Sequence, residues 1–289
     1  MREAGRSLTR AAGARAGNSY VVGPAVPDLV RFHGRAAERG YGVEACYWPR
    51  PHETPSQVAD GYLAALTALA GRGGDVRLAV KASQLGFEPG SLGPLLKCAE
   101  ESRASVFFDA LESDESDGVR TMVDAALGAS VQLGCALAGR WPRSARDLEW
   151  AIERELHVRV VKGQYPDPAH PHADPRKGFL ALVDGLAGRA PFVSVATHEA
   201  DLAREAIARL RARRTPCELE LLYGFPLRRV LRHLRYLGCR VRLYLPYGYG
   251  RTPYPPREAL RDPRSARFLA GDLIIGGERA RLPLPAIAA

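Results

Sequence analysis

Eight short apolar runs, each followed by an amphipathic stretch, constrain the fold of this 289-residue chain more than any other feature. The predicted strands are Gly42–Tyr47, Val76–Ala82, Ser105–Asp109, Ser130–Cys135, His157–Lys162, Phe192–Ala196, Cys217–Leu222 and Arg240–Leu245. Their starts lie roughly 22 to 35 residues apart, which leaves room for one crossover helix each. Ser56–Ala70 sets Val58, Tyr62, Ala65, Leu66 and Leu69 on one helical face, and His198–Arg211 does the same with Leu202, Ala206, Ile207 and Leu210. Strict alternation predicts an α/β protein with a parallel sheet, and eight units predict a (β/α)8 TIM-type barrel. An open doubly wound sheet is the alternative, but no G-x-G-x-x-G follows the first strand. An extra N-terminal helix near Pro27–Arg39 is expected to close the bottom of the barrel. Residues 20–275 are read as the barrel, 1–19 as a flexible arm and 276–289 as a loosely attached tail.

Composition narrows the class. An apolar fraction of 46% is ample for a core. No apolar run approaches the roughly 20 residues of a bilayer span, and the basic start has no apolar segment of the secretory kind. The five cysteines, Cys46, Cys98, Cys135, Cys217 and Cys239, are widely spaced without a C-x-x-C pair. They indicate neither a disulfide framework nor a thiolate metal site, and Cys46, Cys135, Cys217 and Cys239 read as buried small hydrophobes. A reduced, cytoplasmic setting is expected, peripheral membrane contact being the alternative. The charge of +9 is carried almost wholly by scattered arginine, without zinc-finger spacing or an RNP-like aromatic run, so no nucleic-acid partner is expected.

In a parallel barrel, chemistry collects at the C-terminal strand ends. Read in order, those ends carry Lys81, Asp109 with Glu112, Gln132, Arg159 with Lys162, Thr197–His198, Glu218 with Glu220, and Tyr244. Only four lysines occur in the chain, and two of them, Lys81 and Lys162, stand here, where a compact ammonium is the apparent requirement. Lys162-Gly163 at a strand end suits a phosphate or flavin, since glycine lets a ligand approach the backbone. Thr197-His198 precedes a helix whose free amides favour an anion. His170 and His172 lie in a proline-rich loop and resemble half a metal site. The other strand ends hold Lys, Gln, Arg and Tyr rather than metal ligands, so no metal is expected.

In this order the residues resemble the proline dehydrogenase family, from about Tyr20 to Leu269. Arg159-Val-Val-Lys-Gly-Gln-Tyr165 is similar to the family's R-L-V-K-G-A-Y-W, and Ala196-Thr-His-Glu199 to A-T-H-N. Glu218-Leu-Glu-Leu-Leu-Tyr-Gly-Phe225 is similar to E-x-Q-x-L-Y/H-G-M, and Val241-Arg-Leu-Tyr-Leu-Pro-Tyr-Gly248 to V-R-V-Y-x-P-Y-G. Val80-Lys-Ala-Ser83, Phe108-Asp-Ala-Leu-Glu112 and Val131-Gln132 resemble three further strand segments.

The resemblance implies an FAD-binding barrel that moves a hydride from a carbon beside an amine nitrogen to flavin N5. Arg159 would lie near the isoalloxazine, with Lys162, Gly163, Gln132 and Glu220 at the flavin and Thr197 and His198 on the rest of FAD. Lys81, Asp109 and Tyr244 would form the substrate floor and wall, with Tyr165 nearby. Arg257 would meet a substrate carboxylate. The sequence departs from the family at Glu258, where a second arginine is usual, at Glu199 in place of Asn and at Glu220 in place of Gln. These shifts toward acid leave open an amine other than proline. A non-catalytic barrel binding an anion is the remaining alternative, and the electron acceptor of an enzyme, whether quinone, oxygen or protein, is open.

Overall fold

The computed structural model describes residues 20–225, 227–234 and 238–249. The predicted arm 1–19, the tail 276–289, Arg257 and Glu258 lie outside them. Eight parallel strands close into a barrel in chain order, β8 pairing with β1. They are β1 (Gly42–Trp48), β2 (Val76–Lys81), β3 (Ser105–Asp109), β4 (Leu133–Ala138), β5 (His157–Val161), β6 (Val193–Ala196), β7 (Cys217–Leu222) and β8 (Val241–Gly248). Helix α1 (Val26–Ala37) precedes β1. The crossovers carry α2 (Pro55–Leu69), α3 (Gly93–Ser102), α4 (Ser116–Ala126), α5 (Ser144–Glu153), α6 (Pro175–Leu186), α7 (Ala200–Ala212) and α8 (Leu227–Leu234).

Local chemistry sets the helix starts. Thr54 accepts from the Gln57 amide, and the Gln57 side chain accepts from the Thr54 amide at 2.9 Å, a reciprocal cap with Pro55 in the first turn. Asp174 caps α6 through the amides of Arg176 and Lys177.

α1 does not close the barrel's bottom as expected. Its buried stripe, Leu29, Phe32, His33 and Ala36, packs beside β1 and β8, in one core with Val43, Ala45, Leu243 and Leu245. An apolar stripe needs an apolar partner, and the outward faces of those strands supply one. The interior at that end presents Arg242 and Glu218 instead.

Neighbours in register on parallel strands share a face. The pairs Glu44–Arg77, Phe107–Gly134, Ala136–Arg159, Arg159–Ser194, Ser194–Glu218, Glu220–Arg242 and Glu44–Tyr244 therefore identify the inward set. The outward positions, such as Val43, Leu78, Val106, Cys135, Val160, Val195, Leu219 and Leu243, join the helices in one large apolar core. Most of the stabilising apolar burial thus lies between strands and helices. The barrel centre, which in this architecture is usually filled by branched aliphatics, is here a charged lattice. Among the described residues no helix is long and apolar enough to cross a membrane.

Candidate active site

The lattice is built from alternating signs. Arg77 approaches Glu44 at 3.5 Å, Glu218 at 3.1 Å and Glu220 at 3.5 Å, and stacks 3.7 Å above the Phe107 ring. Arg242 binds Glu218 at 2.7 Å and also pairs with Asp75. One layer nearer the strand ends, Arg159 is held by three carboxylates. Its Nη1 donates to Asp109 at 2.6 Å and its Nη2 to Glu44. Glu220 Oε1 lies 2.7 Å from Nε but out of line with that N–H, which makes no regular hydrogen bond.

Burial alone would lower the pKa of Arg159, but the charges of Asp109, Glu220 and Glu44 outweigh it and drive the guanidinium well above its ordinary range. The three acids do not share that benefit equally. Glu44 is burdened by burial, yet the arginines Arg159, Arg77 and Arg242 carry it below the usual carboxylate range. Burial dominates at Glu220, with Glu44 and Glu218 adding like-charge repulsion, and its carboxyl is pushed up to about 8. The carboxyl that meets Arg159 off-axis is the one that keeps its proton at neutral pH.

Above Arg159 stand Lys81, Asp109 and Tyr244, all buried and closing β2, β3 and the middle of β8. The Tyr244 hydroxyl donates to Asp109 Oδ2 at 3.3 Å, and Lys81 Nζ lies 3.4 Å from that hydroxyl. Arg159 sits 5.1 Å from the Tyr244 ring centroid. The Lys81 amide donates to Tyr62, which pins the end of β2. The four residues expected to be catalytic are thus one connected cluster.

A second group lines the ends of β5 and β6. Lys162 Nζ is 2.5 Å from Glu199, which also meets Arg176 at 3.3 Å. Gly163 has φ +92, and a Cβ there would come within 3.1 Å of Ala138 and Arg140. Thr197 is buried and accepts from the Glu199 amide. The His198 Nε2 accepts from the Leu222 amide at 3.0 Å, which leaves the proton on Nδ1, a buried atom with no partner. Burial, with Lys162 nearby, lowers the His198 pKa to about 3, so the ring is neutral. α7 begins at Ala200, two residues later than expected, and Thr197-His198 forms the turn before it. Tyr165 lies in the loop after β5, three residues past Lys162, its carbonyl held by the Trp141 indole.

Two expectations are corrected. Gln132 is not at a strand end: β4 runs Leu133–Ala138, so Gln132 is exposed at the opposite rim, its carbonyl bonded to the Val106 amide near the start of β3. The small residues Gly134, Ala136 and Ala138, not Val131-Gln132, form the strand's inward face. Glu220 faces Arg159 and Arg77 within the barrel rather than the mouth. Glu112 is exposed. His170 and His172 are exposed in their loop. Glu44 and Arg77 were missed because they stand mid-strand, where apolar residues are the norm. An inward-parity charge in an otherwise apolar run was the available signal.

No family model matches the chain. Among curated proteins, proline dehydrogenase 1 of Bacillus subtilis subsp. natto is 23% identical over 279 residues, covering 91% of this chain and 92% of the relative. The chain is thus similar, at low identity and over nearly its whole length, to a proline dehydrogenase. Proline dehydrogenase of Deinococcus radiodurans is 32% identical over 152 residues, half of this chain and 48% of that one. Among solved structures, proline utilization A from Bdellovibrio bacteriovorus, inactivated by N-propargylglycine, superimposes with a TM-score of 0.71 at 13% identity. That match covers 93% of this chain and 33% of the larger protein, and it carries the barrel fold.

Proposed function

We propose that the chain is an FAD-dependent dehydrogenase that oxidises the C–N bond of proline or a proline-like amine to an imine. The observation that carries this reading is the convergence of Lys81, Asp109, Arg159 and Tyr244 into one buried cluster at the strand ends, in a chain related to proline dehydrogenases. The neighbouring residues fit the cofactor. His198 offers an unpartnered buried N–H to an acceptor, and Gly163 takes a backbone φ of +92 that favours glycine, beside the Lys162 ammonium. Lys162, Gly163, Thr197 and His198 would hold FAD, which supplies a two-electron acceptor for hydride from the carbon beside nitrogen.

The protein's part is binding and orientation. Arg159, immobilised by Glu44 and Asp109, would present a fixed cation to the flavin. Lys81, Asp109 and Tyr244 would form the substrate floor, with Tyr165 at its side and Arg257 receiving a carboxylate. An amine that binds neutral needs no protein base.

Two of the acidic departures are satisfied internally, Glu199 by Lys162 and Arg176 and Glu220 by Arg159. The case for a substrate other than proline therefore rests on Glu258. The test is a visible spectrum of the purified protein followed by anaerobic bleaching with proline, pyrrolidine and a cationic proline analogue. A flavin spectrum bleached by one of these amines is expected. A colourless protein that takes up no added FAD overturns the reading, and fast bleaching by proline alone removes the case for a changed substrate.

A further inference from the structure

The N-terminal rim of the barrel, opposite the candidate active site, carries two cysteines side by side. Cys217 opens β7, and the register Leu219–Val241 sets Cys239 level with it, just ahead of β8. Adjacent strands run roughly 4.8 Å apart, inside the Cα separation a disulfide spans. The Cys239 thiol donates to the Cys217 carbonyl at 3.8 Å, which holds the two cysteines against one another. Both residues are half-buried and unoxidised. By contrast Cys46 and Cys135 are fully enclosed, and the Cys98 sulfur lies 3.7 Å from the Thr67 hydroxyl, away from the other cysteines.

The surroundings divide the labour between the two thiols. The Cys239 thiol beside it, helped by Arg211 at the end of α7, outweighs burial and the nearby Glu218 and brings Cys217 down to about 7. The same pairing, with burial, raises Cys239. Arg211 is anchored to this corner by donating to the Gly238 carbonyl at 3.0 Å. A thiolate beside a protonated partner thiol is the arrangement of an attacking and a resolving cysteine.

We propose that Cys217 and Cys239 form a peroxide-reactive dithiol that closes to a disulfide across β7 and the entry to β8. The Cys217 thiolate attacks one oxygen of hydrogen peroxide; the O–O bond breaks, hydroxide leaves and takes a proton as water, and Cys217 becomes a sulfenic acid. The Cys239 sulfur then attacks the sulfenic sulfur; the S–S bond forms, the S–O bond breaks, and the leaving hydroxide departs with the Cys239 proton as a second water. Two electrons pass from the thiols to the peroxide. The bond joins cysteines 22 positions apart, closes a loop that contains α8 and leaves the strand-end cluster untouched.

The test uses the reduced full chain. After hydrogen peroxide treatment, free thiols counted under denaturing conditions are expected to fall from five to three and to return with a phosphine reductant. Mass spectrometry is expected to find the tryptic peptides Thr215–Arg228 and Tyr236–Arg240, each with a single cysteine, joined. At pH 7, iodoacetamide is expected to label Cys217 at least tenfold faster than Cys98. In Cys239→Ser, dimedone is expected to trap Cys217 as the sulfenic acid. Five surviving thiols, a disulfide between other cysteines, or equal labelling of Cys217 and Cys98 in the wild-type chain overturns the proposal whether or not the variant folds.

Discussion

At the scale of single residues, the lattice beneath the site makes two carboxylates behave in opposite ways. Glu44 is fully buried and ionised between Arg159 and Arg77, so Glu44→Ala leaves two guanidiniums without their counter-charge. Removing one partner of a buried pair typically costs about 3–5 kcal/mol. Glu220 keeps its proton at pH 7 and is close in shape and charge to the glutamine that the family resemblance places there. Glu220→Gln is therefore expected to change stability by less than about 1 kcal/mol at pH 7, within the range of an isosteric change that leaves hydrogen bonding intact. Urea unfolding of both variants at pH 7 decides it. Equal losses would mean that Glu220 is ionised and that Arg159 needs all three acids. This difference between Glu44 and Glu220 was invisible in the sequence, because it depends on which oxygen meets a guanidinium in line. The cluster of Lys81, Asp109, Arg159 and Tyr244 was legible, because Lys81 and Asp109 end their strands and Arg159 and Tyr244 stand at inward parity in segments that resemble the family's.

At the scale of elements, the alternation of apolar runs located all eight strands, and the boundaries slipped where small residues replaced branched ones. β4 moved three residues toward the C-terminus of its expected span, from Ser130–Cys135 to Leu133–Ala138. Its inward positions are Gly134 and two alanines because Phe107 fills the space: a Cβ on Gly134 would lie 2.4 Å from the Phe107 ring. Sequence periodicity does not register a position defined by a neighbour's bulk. The same close approach recurs where α6 crosses the end of β4. A Cβ on Gly178 would lie 1.8 Å from the Gly139 carbonyl oxygen, a backbone atom that cannot rotate away. Gly178→Ala, which by helix propensity alone should gain about 1 kcal/mol, is instead expected to lose several, as overpacking against backbone does. Thermal unfolding monitored by circular dichroism gives the sign. An unchanged or raised Tm would show that α6 can lift off β4 freely.

At the scale of the whole molecule, the buried titratable groups set a pH optimum for stability that neither the +9 charge nor the pI near 9.6 suggests. His198 and His157 are held neutral by burial, at about 3 and about 4 against an ordinary 6.5. Between those values and 6.5 the unfolded chain binds protons that the folded chain does not, so stability rises with pH through this range. Glu220 acts in the opposite sense. Its folded pKa of about 8 exceeds the ordinary 4.5, so between 4.5 and 8 the folded state holds a proton that the unfolded state has released, and stability falls as pH rises. From 4.5 to 6.5 the two histidines outweigh the single glutamate; above 6.5 the glutamate acts until it ionises near 8, opposed from about pH 7 upward by the Cys217 thiol, whose pKa falls from 9 to about 7 on folding. With that thiol removed by Cys217→Ser, stability is therefore expected to peak near pH 6.5 and to decline toward pH 8, and the Glu220→Gln comparison is made on the same background. In Glu220→Gln the decline should vanish, while the rise below pH 6.5 should steepen because the opposing group is gone. Urea midpoints measured from pH 4 to 9 for both proteins check this. An alkaline decline that persists in the variant would assign it to another group and return Glu220 to the ionised state, with Arg159 then carrying three charges at once.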